Sequence, residues 1–123
     1  MVGPDGTIYV GVGNGAATAP PFDGSDSITA LGPLLKRVGI FAPRSWAADN
    51  ASDLDLGSSA PSLLGDGMML ADGKNGNAYL LNANDLDGVG SQLARAPVCA
   101  AFGGWPPGAR SSTCPASPAG WPP

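Results

Sequence analysis

Short apolar stretches separated by glycine-rich turns follow one another through most of the chain. The clearest is residues 6–13, Gly-Thr-Ile-Tyr-Val-Gly-Val-Gly, which is entered by a Pro-Asp-Gly turn and left through the pair Asn14-Gly15. β-Branched and aromatic residues enclosed by turn residues are typical of a strand. Ser27–Leu31 alternates polar and apolar positions, and residues 36–41 contain a further apolar stretch. The pattern therefore predicts three strands in the first third of the chain.

The same plan recurs in the second half of the chain. A Gly-Asp-Gly turn leads into Met68–Asp72, and the Gly-Lys-Asn-Gly turn at residues 73–76 leads into Asn77–Asn82. Repeats of small sheets are typical of β-propellers and β-solenoids, because one such sheet cannot bury both of its faces alone. The alternative interpretation is a meander of short strands in a single sandwich. Helix is disfavoured throughout, since glycines interrupt its one candidate at residues 86–94.

The composition excludes several classes of function but says less about the fold. The 123 residues are 43% hydrophobic, which is enough for the core of one domain. A net charge of −4 with only six Lys and Arg leaves no basic patch, so nucleic-acid binding is disfavoured. No stretch is apolar over the roughly 18–20 residues that cross a bilayer, so the sequence predicts no membrane span. The absence of His excludes Ser-His-Asp and Cys-His catalysis and His-ligated metals.

Three segments resemble the pyrroloquinoline-quinone (PQQ) repeat family of β-propellers, which includes the quinoprotein alcohol dehydrogenases. They are residues 5–15 (DGTIYVGVGNG), 25–31 (SDSITAL) and 72–82 (DGKNGNAYLLN), and the similarity extends from Met1 to about Gly104. The resemblance implies an all-β fold, an incomplete β-propeller fragment of about two blades of antiparallel strands, because a closed propeller needs several blades. Family members are usually extracellular or periplasmic, whereas the start of this sequence lacks the pattern of a signal peptide.

The resemblance also implies two cofactor-binding candidates. In the family's dehydrogenases the Asn of a Gly-x-Gly-Asn segment helps to hold a calcium ion beside the quinone, and Asn14 matches that position. A Lys lies near the quinone at a motif similar to the one that contains Lys74. Turn chemistry gives the competing interpretation, in which Asn14-Gly15 is a hairpin turn and Lys74 faces solvent. The base of those enzymes is the Asp of a Pro-His-Asp stretch, and this chain has Ser45 there.

Residues 49–59 concentrate three carboxylates, those of Asp49, Asp53 and Asp55. Such a group could coordinate calcium or form an acid–base pair. The spacing lacks the Gly and the Glu of an EF-hand loop, and Asp and Asn commonly bond their own backbone in turns. A solvated loop between strands is therefore the favoured interpretation.

The last part of the chain differs from the rest. Residues 105–123 contain six Pro and no apolar alternation, which predicts a disordered tail after a propeller-like part at residues 1–104. A second hypothesis is that this tail is an out-of-frame remnant of a further blade. Cys99 and Cys114 could form a disulfide only in an oxidising compartment, and a free Cys99 is favoured.

The sequence thus favours a truncated, non-catalytic PQQ-repeat-like module that provides a binding or scaffold surface without a cofactor. The reason is Ser45, because proton abstraction from an alcohol needs a carboxylate with a tuned pKa. The alternative is a remnant or subunit of a PQQ- and calcium-dependent dehydrogenase. A further alternative is the product of a degenerate gene without a function of its own. Unpaired edge strands would favour association with other molecules.

Overall fold

A computed structural model describes the fold of residues 1–56 and 60–98. Within these ranges the chain forms eight strands in two four-stranded sheets and one short helix, which confirms the all-β prediction. Sheet A consists of β1 (Ile8–Val12), β2 (Ser27–Leu31), β3 (Arg37–Ala42) and β7 (Asp87–Val89), and helix α1 (Trp46–Ser52) follows β3. Sheet B consists of β4 (Ser62–Gly65), β5 (Met68–Asp72), β6 (Asn77–Asn82) and β8 (Ala94–Pro97).

The chain first forms three strands of sheet A and then three strands of sheet B. After these, β7 joins sheet A and β8 joins sheet B. β1, β2 and β3 pair as an antiparallel meander, and β4, β5 and β6 repeat that arrangement. β7 pairs in parallel with β3, with Asp87 opposite Ile40, and β8 then pairs antiparallel with β6. The two sheets are therefore connected by the chain in both directions.

All five strands that the sequence pattern predicts are present. β2, β5 and β6 have the predicted bounds. β1 is shorter than the predicted residues 6–13 at both ends, and β3 is shifted by one residue from the predicted 36–41. The turn between β5 and β6 is the predicted one, since the Gly76 N–H donates to the Gly73 carbonyl oxygen at 3.2 Å. Turn residues at fixed positions thus set the register of this hairpin.

Four elements were not expected from the pattern, namely β4, β7, β8 and α1. β7 replaces the short helical turn considered at residues 86–94, because pairing with β3 stabilises an extended backbone there. The interpretation of the acidic segment 49–59 as a solvated loop is wrong for its first residues, which belong to helix α1. Its residues Trp46 and Asp49 are buried, and tertiary packing rather than helix propensity stabilises so short a helix. The helix ends at Asp53, whose φ of 55° is left-handed.

One apolar core joins the inner faces of both sheets. The rings of Phe41 in β3 and Tyr79 in β6 are in contact, with centroids 5.3 Å apart. The Tyr9 hydroxyl donates a 3.0 Å hydrogen bond to the carbonyl oxygen of Ala83, just after β6. Burial of each large apolar side chain contributes roughly 1.5–3 kcal/mol. The same cluster contains Ile28, Ala30, Leu56, Met69, Ala71, Leu81 and Leu86.

The outer face of sheet A is largely apolar. Directly paired residues of neighbouring strands project on the same side of a sheet, so Val10, Thr29 and Ile40 form a row across this face, which ends at the exposed Asp87 of β7. Ile8 and Val12 flank Val10 on β1, on the same side of the strand. Val10 is 39% exposed, and the other side chains of this group are partly exposed.

The outer face of sheet B has a similar row. Ser62, Leu70, Leu80 and Ala94 are paired in succession across its four strands. Ser62 and Ala94 are exposed, and Leu70 and Leu80 are partly exposed. An antiparallel sheet with one solvated face normally alternates apolar inward and polar outward positions. Neither sheet follows that alternation.

Several expectations concern residues outside the described ranges. The predicted tail at residues 105–123 and both cysteines, Cys99 and Cys114, lie there. Within residues 1–56 and 60–98, no helix has the length and apolar character to cross a membrane.

Candidate functional site

Three loop segments meet at one end of the sheets, which we call the polar end. They are the loop after β1 (residues 13–26), the segment that contains α1 (45–56) and the β5–β6 turn (73–76). The Asp26 N–H closes the first loop by donating to the Gly13 carbonyl oxygen at 3.0 Å, and the Lys74 N–H joins the β5–β6 turn to the α1 segment by donating to the Asp55 carbonyl oxygen at 3.3 Å. Every site residue that the sequence suggests lies in these segments.

The structure brings Asn14 and Lys74 to the same carboxylate. The Asn14 side-chain amide donates a 2.6 Å hydrogen bond to Oδ1 of Asp53. The Lys74 ammonium lies 3.8 Å from that oxygen and 3.1 Å from Oδ1 of Asp55. Lys74 is therefore half-buried rather than facing solvent, and its bond to Asp55 raises the pKa of its ammonium group.

The pair Asn14-Gly15 does not form the hairpin turn expected from turn chemistry. It begins a long loop, which returns to the sheet only at Asp26. Gly13, immediately before it, allows a close approach of the acidic segment, since a Cβ there would lie 3.1 Å from Oδ2 of Asp55. The Gly-x-Gly-Asn motif thus fits against Asp53 and Asp55 in this chain.

The Asn50 side chain links helix α1 to the loop after β1 through hydrogen bonds. Its side-chain oxygen accepts a 2.9 Å hydrogen bond from the Gly15 N–H. Its amide nitrogen donates to the carbonyl oxygen of Ala17 at 2.7 Å and to the Ser25 hydroxyl at 2.8 Å. This role could not be predicted from the sequence, because it depends on helix α1, which the pattern does not predict.

A second network surrounds the carboxylate of Asp49. Its Oδ2 accepts hydrogen bonds from the Ser45 hydroxyl at 2.9 Å and from the Asn75 amide at 3.1 Å, and the same amide donates to the Tyr79 hydroxyl at 2.9 Å. Asp49 is buried, and this burial raises its pKa, although the bonds from Ser45 and Asn75 oppose the shift. A carboxylate therefore lies beside Ser45, the position where the resemblance leads one to expect the base.

Asp26 is the most isolated charge at the polar end. It is fully buried, and neither carboxylate oxygen forms a hydrogen bond of normal geometry within the described residues. Burial raises the pKa of Asp26 to about 6; the backbone N–H of Leu56 opposes the shift, and neighbouring carboxylates add to it. Its backbone is also left-handed, with φ at 47°.

The side chains that a calcium–quinone site would use at the polar end contact one another in this structure. Calcium takes roughly six to eight oxygen ligands. In the part of the chain that the structure describes, no three acidic, His or Cys side chains are arranged to hold a metal ion. The Asn14 amide and the Lys74 ammonium are both engaged with Asp53. The Ser45 hydroxyl donates a hydrogen bond to Asp49, and Ser45 has no carboxylate with which to abstract a proton from an alcohol.

A shallow cleft of about 200 Å³ lies at the opposite end, between the start of β1 and the segment after β6. Asp5, Thr7 and Asn84 form its polar rim, and Tyr9 and Leu86 belong to its wall. Asp5 accepts a 3.0 Å hydrogen bond from the Thr7 N–H, which lowers the pKa of this carboxyl. This is an Asx turn at the entry to β1, a structural arrangement.

Comparison with protein-family models, with curated proteins and with solved structures finds no match to this chain.

Proposed function

We propose that the chain is a non-catalytic PQQ-repeat-like β-propeller module, in which sheets A and B act as consecutive blades and provide a binding or scaffold surface. The observation that carries this proposal is the apolar character of both outer faces. A sheet that is apolar on both faces needs a layer of structure on each side. Architectures that place similar sheets side by side meet that need.

The hydrogen bonds of the polar end support a structural role for its residues. Asn14 and Lys74 both contact Asp53, and Lys74 also pairs with Asp55. These contacts connect the loop of sheet A with the hairpin of sheet B through the segment after α1. Residues that would bind a cofactor in the related dehydrogenases would here hold the two sheets in register.

The dehydrogenase alternative keeps one observation in its favour. Asn14 and Lys74 lie far apart in the sequence and still converge on one carboxylate, with Asp49 beside Ser45 at the same end of the molecule. In that alternative the chain would be a subunit or remnant of a PQQ- and calcium-dependent enzyme, and the polar end would face the quinone.

A titration with PQQ and calcium separates the two proposals. The full chain is titrated with PQQ in the presence and absence of Ca²⁺, and the quinone absorbance and the heat of binding are recorded. We expect no saturable, calcium-dependent change in the quinone absorbance or in the heat of binding. The reason is that the candidate cofactor side chains, Asn14 and Lys74, already contact Asp53.

Three variants make this test specific. Asn14→Ala and Lys74→Met remove the two candidate cofactor residues, and Asn84→Ala changes an exposed Asn at the opposite end. Saturable binding that Asn84→Ala retains and the other two variants lose would establish the dehydrogenase alternative. If neither the wild type nor any of the three variants binds PQQ saturably, the result supports the non-catalytic module.

A further inference from the structure

The loops of the polar end contain two Asn-Gly pairs, Asn14-Gly15 and Asn75-Gly76. In such a pair the backbone nitrogen of the glycine can attack the side-chain carbonyl carbon of the asparagine, because glycine has no Cβ to hinder the approach. The cyclic imide that forms releases the side-chain nitrogen as ammonia. In a folded protein the reaction depends on how firmly the side chain and the glycine nitrogen are held apart.

Three hydrogen bonds hold the Asn75 side chain in place. Its amide nitrogen donates to Oδ2 of Asp49 at 3.1 Å and to the Tyr79 hydroxyl at 2.9 Å. Its oxygen accepts a 3.0 Å hydrogen bond from the Asn77 N–H. Cyclisation would turn this side chain away from all three partners and would take one donor from the buried Asp49 carboxylate. The fold therefore protects Asn75 from this reaction.

The Asn14 side chain is held less firmly. It is exposed, and within the described residues it makes one hydrogen bond, from its amide nitrogen to Oδ1 of Asp53. The Asp53 side chain is itself 79% exposed, so water replaces this bond at little cost. In both pairs the glycine N–H donates one hydrogen bond, and that of Gly15 goes to Oδ1 of Asn50 at 2.9 Å. The main restraint on the reaction at Asn14 is therefore the Asn50 side chain.

We propose that Asn14 is a modification site at which the side-chain amide is converted into a carboxylate, and that Asn50 limits the rate by holding the Gly15 N–H. The Gly15 nitrogen loses its proton to solvent and bonds to Cγ of Asn14, while the bond between Cγ and Nδ2 breaks and ammonia leaves. Water then opens the ring at one of its two carbonyl carbons, which yields aspartate or isoaspartate. The reaction needs only water, so it goes beyond the proposed function and does not depend on it.

The conversion changes the contact between the loop after β1 and the segment after α1. At present the Asn14 amide donates to Asp53 at 2.6 Å. A carboxylate in its place would repel Asp53, because two like charges at that distance oppose each other. Lys74 is already shared between Asp53 and Asp55. Modification of Asn14 therefore removes the link that this side chain makes between the two segments.

Peptide mass spectrometry of the full chain, incubated at mildly alkaline pH, measures the conversion at both pairs, because the acid is heavier than the amide. In the folded protein we expect Asn14 to react at least about tenfold faster than Asn75, whose side chain must break three hydrogen bonds rather than one. In concentrated urea the two pairs should react at similar rates, since the fold no longer distinguishes them. Asn14→Gln should abolish the conversion at position 14, because glutamine forms its larger ring more slowly.

Asn50→Ala tests the role of Asn50, because it releases the Gly15 N–H. We expect it to raise the ratio of the Asn14 rate to the Asn75 rate by at least about threefold. The ratio corrects for any general loss of stability, which would accelerate both sites. Asn84→Ala is the matched control, since it changes an exposed Asn at the opposite end of the molecule and should leave the ratio unchanged.

Two results would overturn the modification site. One is equal rates at Asn14 and Asn75 in the folded protein, and the other is an Asn14 that reacts only in urea. An unchanged ratio of rates in Asn50→Ala would overturn the role of Asn50.

Discussion

The carboxylate of Asp26 is fully buried and close enough to Asp49, Asp55 and Asp23 for each to raise its pKa. Lys74, the cation of the β5–β6 turn, is paired with Asp55. A buried charge without a partner of its own is costly, and protonation removes that cost. Asp26 therefore couples the stability of the polar end to pH.

The direction of this coupling follows from the two pKa values of Asp26. Its folded-state pKa is about 6, whereas its ordinary value is 3.8, so the folded state holds the proton over the interval between them. The stabilisation is complete below about pH 4 and is lost as the pH rises through 6, by about 3 kcal/mol for this group. The raised pKa of Asp49 acts in the same direction.

Substitution of Asp26 by Asn tests this coupling. Asn has a similar shape without the charge, so we expect Asp26→Asn to stabilise the protein at pH 8 and to flatten the dependence of stability on pH. Urea unfolding at pH 4.5, 6 and 8 measures the effect in both proteins. Parallel curves for the wild type and Asp26→Asn would contradict the assignment. Asp66→Asn is the control, because Asp66 is exposed in the β4–β5 turn, away from Asp26.

Asn50 gives a second prediction at the residue scale. Asn50→Ala removes three hydrogen bonds between α1 and the loop after β1. Two of their partners are backbone groups left without that bond, so we expect a loss of about 1–3 kcal/mol in the free energy of unfolding. Asn14→Ala serves for comparison, because its bond to Asp53 is exposed and should contribute less than about 1 kcal/mol. Equal losses of unfolding free energy in the two variants would show that the Asn50 hydrogen bonds do not stabilise the loop more than the exposed Asn14 bond does.

At the scale of elements, sequence patterns account for some parts of the fold and not for others. The strand β2 could be predicted to the residue because it alternates polar and apolar positions, and β5 and β6 because each is a short apolar stretch next to glycine-rich turn residues. β7 could not, since its three residues are extended only through pairing with β3, which lies far away in the sequence. Helix α1 was missed for a similar reason, because the burial of Trp46 and Asp49 stabilises it.

The candidate site could likewise be predicted from the sequence only in part. Asn14 and Lys74 were singled out by resemblance to a family, and the structure shows that they contact one carboxylate. No sequence pattern distinguishes the fully buried Asp26 from the exposed Asp23 only three positions earlier. The difference arises where the chain turns into β2, with Asp26 in a left-handed conformation. The cofactor roles of Asn14 and Lys74 stay predictions.

The contact between the β5–β6 turn and the segment after α1 gives a prediction at this scale. A Cβ at Gly73 would lie 2.8 Å from the Leu56 Cα and 3.0 Å from the Asp55 carbonyl oxygen. Backbone atoms cannot move aside cheaply, so Gly73→Ala should destabilise the protein by about 1–3 kcal/mol. Thermal melting measures the loss. In Gly13→Ala the added methyl group meets only the end of the Asp55 side chain, and a smaller effect is expected. A larger effect at Gly13 would contradict this account.

For the whole molecule, the shared core predicts that both sheets unfold together. Phe41 is fully buried and contacts Tyr79 of the other sheet. Phe41→Ala should therefore cost about 3–5 kcal/mol and should lower the protection of amides in β2 and in β5 by the same free energy. Native-state hydrogen exchange measures both sheets in one experiment. Protection lost in sheet A alone would show that the sheets are independent units.

The position of β7 has a consequence for any attempt to divide the chain. A cleavage between α1 and β4 yields one piece with β1, β2 and β3 and another with sheet B. The second piece, however, also contains the strand that completes sheet A, and that strand pairs in parallel with β3. Each fragment therefore contains part of the template for the other. We therefore expect the cut to yield two halves of a split protein that bind one another through the β3–β7 pairing, rather than two separate repeats.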